Sequence, residues 1–324
     1  MTLRILLLMA ALVAASAITT ACSVGHLEKS RYCGKHARGF TESEVTLEGV
    51  RLHVHEAGKG DPPVVLVHGF GGTSFSWRYL VPSLAEHHRV LTFDLPGHGY
   101  SEKPDHYDYT AVHLGKLLRQ FLIEEKVENA ILMGNSYGGA ISLAAVVETQ
   151  EEEGVDQKRI GKLVLIDSAG YPQKLPAHVA LLKLPVLNRL LPAITPPKLL
   201  MRIVVSSMYG DGHCEKEQVA EYANAYRTKG TRRAFRQYVK QMLPKEIGDY
   251  TKKYKDVRVP TLVISGDRDK VVPVKVAEQF DQDIPESTLV MVKGAGHIPQ
   301  EEAPDKVLAA LSAFLGEPLA IAQR

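Results

Sequence analysis

Residues 130–143, Ala-Ile-Leu-Met-Gly-Asn-Ser-Tyr-Gly-Gly-Ala-Ile-Ser-Leu, decide the fold of this chain. The apolar run Ala130–Met133 predicts a buried parallel strand, and the small-residue run at the end of the stretch predicts a helix. Between them, Gly134 and Gly138 flank Ser136 at the spacing of a tight strand-turn-helix, where a Cβ would collide with neighbouring backbone. We therefore expect Ser136 at the carboxyl edge of a sheet, beside the unpaired N–H groups of a helix N-terminus, which favour an oxyanion.

The rest of the chain repeats this alternation of strand and helix. Further strands are predicted at residues 45–47, 50–54, 63–67, 89–94, 163–167, 261–265 and 288–292, and helices at 77–84, 109–125 and 307–315. With the strand before Ser136 this makes eight strands. The alternation predicts an α/β fold in which a mostly parallel sheet has helices on both faces and ligands bind beyond the carboxyl ends of the strands.

Residues 171–256 interrupt the alternation, because they contain apolar helical segments broken by prolines and no convincing strand. We interpret them as a helical cap that is inserted into an α/β core formed by residues 43–170 and 257–318. The cap must lie over the sheet edge that carries Ser136.

A serine hydroxyl is a poor nucleophile at neutral pH, so a catalytic Ser136 needs a histidine base and a carboxylate that orients the histidine. The loop after the penultimate predicted strand contains Asp267 and Asp269, and the loop after the last one contains His297. Both loops leave the sheet at the same edge as Ser136. The sequence therefore predicts a serine nucleophile with a histidine base.

From about Glu44 to Leu315 the chain resembles the α/β-hydrolase fold superfamily. Residues 68–71 (His-Gly-Phe-Gly) resemble its oxyanion loop, 94–101 its turn after the fourth strand, 134–138 its nucleophile elbow and 294–297 (Gly-Ala-Gly-His) its histidine loop. The resemblance implies a triad of Ser136, Asp269 and His297, with the acid at Asp269 rather than Asp267. It also implies an oxyanion hole made by the backbone N–H groups of Phe70 and Tyr137.

Two other histidines receive structural roles from the same resemblance. His68 is expected to shape the oxyanion loop, and His98 to brace its own turn by hydrogen bonding. Phe75 and Trp77 are expected in the core or the pocket wall. The mechanism that the triad implies needs no metal and no organic cofactor.

The sequence favours a serine hydrolase that cleaves uncharged carboxylic esters, resembling esterases and lipases. A serine nucleophile argues against the haloalkane dehalogenases and epoxide hydrolases, which use aspartate. Gly134-Asn135-Ser136 is also similar to the elbow of the meta-cleavage carbon–carbon bond hydrolases, although they carry methionine where this chain has Tyr137. Carbon–carbon bond hydrolysis is therefore the alternative.

The cap is apolar, and residues 171–256 carry 16 Lys and Arg against seven Asp and Glu. An apolar, cationic lid fits an enzyme that works at an anionic lipid surface. The alternative is that the apolar residues only pack the cap onto the core. The whole chain has a formal net charge of +2, which gives no argument for a nucleic-acid partner. The sequence does not predict an oligomeric state.

Residues 1–22 have a short basic start, an apolar stretch and small residues before Cys22, which is the pattern of a secretory signal. They also fit an uncleaved membrane anchor, or a bacterial lipoprotein signal with Cys22 as the lipidated residue. All three predict an exported protein, either membrane-anchored or periplasmic or secreted, with residues 23–42 as a tether. Cys33 and Cys214 then form a disulfide or remain free thiols.

Overall fold

The computed structural model of the chain describes residues 40–151, 158–173, 195–242 and 250–320. Eight strands form one sheet: β1 (Thr41–Leu47), β2 (Val50–Ala57), β3 (Val64–Val67), β4 (Val90–Phe93), β5 (Ala130–Asn135), β6 (Ile160–Ile166), β7 (Thr261–Gly266) and β8 (Ser287–Val292). Their order across the sheet is β1-β2-β4-β3-β5-β6-β7-β8.

Strand β2 is antiparallel to both of its neighbours, β1 and β4, and the remaining pairs are parallel. The β1–β2 hairpin turns at Glu48 and Gly49, whose φ values are 51° and 76°. Both turn residues therefore adopt the left-handed conformation that a tight two-residue hairpin requires. The predicted eight-stranded, mostly parallel sheet is confirmed.

The described residues also form the helices α1 (Val81–Leu84), α2 (Ala111–Glu124), α3 (Tyr137–Glu151), α4 (Pro197–Met208), α5 (Lys216–Tyr226), α6 (Thr231–Gln241), α7 (Val274–Asp283), α8 (Pro299–Glu302) and α9 (Pro304–Leu315). Helices α1 and α9 pack on one face of the sheet, and α2, α3 and α7 pack on the other. Short 3-10 turns form at Ser74–Trp77 and Thr251–Asp256. Alternate residues of β3 enter different cores: Val65 and Val67 pack with α2, α3 and α7, and Val64 and Leu66 pack with α1 and α9. The strand is therefore buried on both faces, as its uninterrupted apolar sequence predicts.

Several predicted helix boundaries were wrong. The helix predicted at 77–84 is a 3-10 turn followed by α1, which carries Pro82 in its first turn, where a proline costs no hydrogen bond. The helix predicted from residue 109 begins at Ala111, since the Thr110 side chain caps it by accepting from the backbone N–H of His113. The last helix begins at Pro304 and not at residue 307.

Between β6 and β7 the described residues form α4, α5, α6 and a 3-10 turn, and they contain no strand. The described part of residues 171–256 is therefore helical, and the division of the chain into a core and a cap stays a prediction. A third apolar cluster joins these helices to Phe75 and Ile298 of the core. It contains Met201 of α4, Tyr209 directly after α4 and Tyr222 of α5. The apolar segment at residues 179–191 lies outside the described residues.

The N-terminal predictions concern residues that the structure mostly does not describe. Residues 1–39 lie outside the described ranges, and with them Cys22 and Cys33. The predicted tether, 23–42, extends two residues too far, because Thr41 and Glu42 already pair with β2. Cys214 is half-buried and forms no disulfide within the described residues, so its pairing with Cys33 stays open. Among the described residues, no helix is both long enough and apolar enough to cross a membrane.

Candidate active site

Ser136 lies at the turn between β5 and α3, with a φ of 54°. A Cβ on Gly134 would collide with the backbone of Gly138, and one on Gly138 would collide with the carbonyl oxygen of Val67. The backbone N–H of Ser136 donates to Ile166 O over 2.9 Å. The two glycines thus allow the strand and the helix to approach closely enough for the strained serine turn.

A chain of two hydrogen bonds joins three of the predicted site residues. His297 Nε2 lies 2.8 Å from Ser136 Oγ, and His297 Nδ1 lies 2.7 Å from Asp269 Oδ2. Because Nδ1 faces a carboxylate, it carries the proton, and Nε2 is left to accept from the serine hydroxyl. The imidazole therefore has the tautomer of a general base.

The structure distinguishes the two candidate acids. Asp269 is buried, and its Oδ1 accepts from the backbone N–H groups of Val271 and Val272 over 2.6 and 3.1 Å. Burial raises the pKa of Asp269, but His297 and these two amides lower it more, so its pKa lies below its ordinary value. Asp267 is exposed and accepts instead from the backbone N–H of Gly294. Asp269 is the carboxylate that contacts the histidine.

The predicted oxyanion donors come from two loops beside the serine. Phe70 follows β3 in a loop that lines the same pocket as Ser136, and Tyr137 is the first residue of α3. Within the described residues, no backbone carbonyl accepts from the amide of either residue. Both amides are therefore available to a ligand, and the start of α3 adds positive potential.

A pocket opens in front of Ser136 and His297. Its walls have three parts: the oxyanion loop (Gly69, Phe70, Gly71, Gly72), an apolar side from α4 with Ile298 (Met201, Val204, Val205, Met208), and a polar end (Ser76, Tyr222, Glu301). No lysine or arginine is among the described residues that line it.

Residues 62–304, most of the chain, match the family model described as alpha/beta hydrolase fold. The chain belongs to the α/β-hydrolase family. It is 26% identical over 275 residues to the "Uncharacterized hydrolase YugF" of Bacillus subtilis (strain 168), covering 83% of this chain and 96% of that protein.

This α/β-hydrolase is also similar to proteins with named substrates or pathways. It is 30% identical over 287 residues to the "2-hydroxy-6-oxo-6-(2'-aminophenyl)hexa-2,4-dienoic acid hydrolase" of Metapseudomonas resinovorans, covering 87% of this chain and 93% of that protein. Among solved structures, it is 27% identical to a serine hydrolase involved in carbazole degradation, the CarC enzyme. That match has a TM-score of 0.70 and covers 86% of this chain and 99% of the other.

Two further histidines of this hydrolase, His68 and His98, hold loops together. His68 Nε2 accepts from the backbone N–H of Leu95 over 3.0 Å, and His98 Nε2 accepts from that of Gly71 over 3.0 Å. Burial lowers the pKa of both imidazoles, so both are neutral at pH 7 and their Nε2 atoms remain acceptors. His68 and His98 thus connect the turn after β4 to the oxyanion loop, in agreement with their expected structural roles.

Sequence reasoning missed three residues that support the hydrolase site. Asn135 Nδ2 donates to the backbone carbonyl of His297 over 3.2 Å, and Glu302 Oε2 accepts from the backbone N–H of Gly296 over 2.6 Å. Both contacts hold the histidine loop in place. Asn135 belongs to the nucleophile elbow, and Glu302 follows the histidine loop in the sequence. Asp167, at the end of β6, is fully buried; burial and then the nearby Asp269 carboxylate raise its pKa well above the ordinary value. Asp167 is therefore the protonated member of the Asp167–Asp269 pair.

One group of the described residues has the composition of a metal site. Ligand atoms of Glu42, His53 and His55, on β1 and β2, lie within 4.8 Å of one another. None of the three lines the pocket of Ser136. That the reaction needs no metal or organic cofactor stays a prediction.

Proposed function

We propose that this α/β-hydrolase cleaves carboxylic esters through an acyl-enzyme on Ser136. The observation that carries the proposal is the hydrogen-bond chain from Ser136 Oγ through His297 to Asp269, with distances of 2.8 and 2.7 Å. Nucleophile, base and orienting carboxylate are all within the reach that proton transfer needs.

The reaction follows from the roles of these atoms. His297 Nε2 takes the proton of Ser136 Oγ as the oxygen attacks the ester carbonyl, and Asp269 stabilises the imidazolium. The amides of Phe70 and Tyr137 bind the oxyanion, a contact for which losing one donor costs about 2.7–4 kcal/mol. His297 then protonates the leaving alcohol. Water, activated by the same nitrogen, releases the acid and restores Ser136.

A second candidate is carbon–carbon bond hydrolysis, which is favoured by the 30% identity to a hydrolase named for a dienoic acid. Such a substrate carries a carboxylate. The Glu301 carboxylate at the polar end of the pocket is paired with Arg78, and none of the described lining residues is cationic. The described lining therefore offers a substrate carboxylate no cationic partner, which supports an uncharged ester over an anionic acid.

The experiment measures kcat/KM for p-nitrophenyl butyrate and for a dienoic acid substrate of the carbon–carbon hydrolases, side by side. Ester turnover that exceeds dienoic acid cleavage and disappears in Ser136→Ala supports the proposal. Faster cleavage of the dienoic acid by several orders of magnitude replaces it with the second candidate.

We further propose that the enzyme works at an anionic lipid surface. On α4, the side chains of Leu199 and Ile203 are 51% and 48% exposed. Lys198 and Arg202 precede them in the sequence and are likewise four residues apart. This gives an apolar and cationic stripe on the helix whose other side lines the pocket. Because about half of each of these two side chains is exposed among the described residues, the stripe supports a surface role over packing of the cap onto the core.

Binding to vesicles tests the surface proposal. Leu199→Ser with Ile203→Ser should weaken sedimentation with phosphatidylglycerol vesicles and leave hydrolysis of a soluble ester unchanged. Ile123→Ser is the matched control, because Ile123 is 46% exposed on α2, away from the pocket lining. Equal vesicle binding by all three proteins would contradict the proposal.

We propose that the enzyme acts outside the cytoplasm, because residues 1–22 have the pattern of an export signal. Its proposed partner is the small-molecule acyl ester, with no nucleic acid involved.

A further inference from the structure

The geometry points to an ester substrate that carries a free hydroxyl group, bound by Ser76 at the polar end of the pocket. This inference rests on the proposed ester hydrolysis and specifies its substrate class. It depends on how hydrogens are distributed in one buried network at the junction of core and cap.

Glu301 is the centre of the network. Its side chain is fully buried and forms an ion pair with Arg78, which is also buried. Gln218 Nε2 donates to Glu301 Oε2 over 2.7 Å, and the hydroxyl of Tyr222 lies 2.6 Å from Glu301 Oε1. A buried carboxylate with a paired guanidinium and two further donors is ionised, and an ionised carboxylate only accepts hydrogen bonds.

The direction of the next two hydrogen bonds follows. Tyr222 has one hydroxyl hydrogen and uses it on Glu301, and burial followed by Glu301 raises the pKa of Tyr222 well above its ordinary value. The Tyr222 oxygen lies 2.9 Å from Ser76 Oγ, so Ser76 must be the donor in that contact. Ser76 has then used its only hydroxyl hydrogen.

Ser76 is one of the residues that line the pocket, and its hydroxyl oxygen then has lone pairs and no hydrogen to offer. Such an atom binds a donor, which for an uncharged ester means a hydroxyl or amide hydrogen. It has no hydrogen to donate to a carboxylate or to a second carbonyl. The polar end therefore selects a hydroxyl.

The remaining walls define what surrounds that hydroxyl. Met201, Val204, Val205 and Met208 of α4, with Ile298, present an apolar side to the same pocket. The substrate class is thus an ester with hydrocarbon parts and one free hydroxyl. The hydroxyl belongs either to the alcohol part, as in the monoester of a diol, or to the acyl part, as in a 3-hydroxyacyl ester.

The test compares esters that differ by hydroxyl groups alone. 3-Hydroxypropyl butyrate against propyl butyrate examines the alcohol part, and methyl 3-hydroxybutyrate against methyl butyrate examines the acyl part. For one of the two pairs, we expect the wild-type kcat/KM to be about tenfold higher for the hydroxylated ester, which is the effect of one well-made hydrogen bond. The pair that shows the preference identifies the part that carries the hydroxyl.

Variants assign the preference to Ser76. Ser76→Ala should lower kcat/KM about tenfold for the preferred hydroxylated ester and leave its deoxy partner within about twofold. The deoxy partner reports any general loss of folding or chemistry in the same variant. Ser207→Ala is the control, because Ser207 lies on α4, donates to Val204 O and does not line the pocket.

The outcomes separate this inference from the proposed function. Hydrolysis of all four esters without preference, or equal losses on both members of a pair in Ser76→Ala, overturns the hydroxyl site and leaves ester hydrolysis standing. No hydrolysis of any ester overturns the proposed function itself.

Discussion

The exchange Asp269→Asn tests how the acid controls the histidine. In the native site, Asp269 Oδ1 accepts from the amides of Val271 and Val272, and Oδ2 accepts from His297 Nδ1. An asparagine side chain has only one oxygen, so it cannot accept both from the two amides and from His297 Nδ1. If that oxygen stays with the two amides, its NH2 group points at His297 Nδ1 and moves the imidazole proton to Nε2, where it faces Ser136.

A histidine with the proton on Nε2 cannot take the serine proton. We therefore expect kcat for p-nitrophenyl butyrate to fall about 10⁴-fold, or about 5.4 kcal/mol in activation free energy, with little change in KM. The fold should survive, because the amide is close in size to the carboxylate and keeps the contacts to Val271 and Val272. Circular dichroism and thermal melting check that point.

Asp267→Asn is the matched control, two residues away in the same loop. Asp267 is exposed, and an asparagine oxygen can still accept from the backbone N–H of Gly294, so kcat should remain within about twofold. A loss in Asp267→Asn that equals or exceeds the loss in Asp269→Asn would refute this assignment of the acid.

Two more predictions concern stability and location. The pKa of Asp167 is raised in the folded protein, so the stability it contributes is complete below the unfolded pKa of about 3.9 and is lost as pH rises through the folded value. Asp167→Asn should thus unfold at higher urea than wild type at pH 8 and at the same urea near pH 3.5; an equal difference at both pH values would contradict the raised pKa. If Cys22 is lipidated, Cys22→Ser should move the protein from the membrane fraction to the soluble fraction, and globomycin should cause a precursor to accumulate. A soluble wild-type protein whose N-terminus lies beyond Cys22 would rule out lipidation and favour a cleaved secretory signal.

The sheet and the contacts around Ser136 could be predicted because they depend on local patterns. Glycines that are required by close backbone approach, as at Gly134 and Gly138, mark the turn in the sequence itself. Parallel strands place their carboxyl ends at one edge, so loops as distant in sequence as those of Asp269 and His297 were expected to meet.

The polar end of the pocket could not be predicted. Arg78 and Glu301 are 223 positions apart and lie in segments without a recognisable motif, and they meet only because α8 packs on the turn after the oxyanion loop. Asn135 belongs to the elbow, but its bond to the carbonyl of His297 depends on where the last loop folds back. Helix starts were also missed, because side-chain caps such as Thr110 set them within one or two residues.

The central claim is that an ester becomes an acyl-enzyme on Ser136. The most direct measurement mixes the enzyme rapidly with p-nitrophenyl butyrate, quenches with acid within milliseconds and locates the acyl group by peptide mass spectrometry. We predict one butyryl group on the peptide that contains Ser136, at a stoichiometry that matches the p-nitrophenol burst, and none in Ser136→Ala. Ester turnover that continues in Ser136→Ala, or an acyl group found on another residue, would contradict the claim.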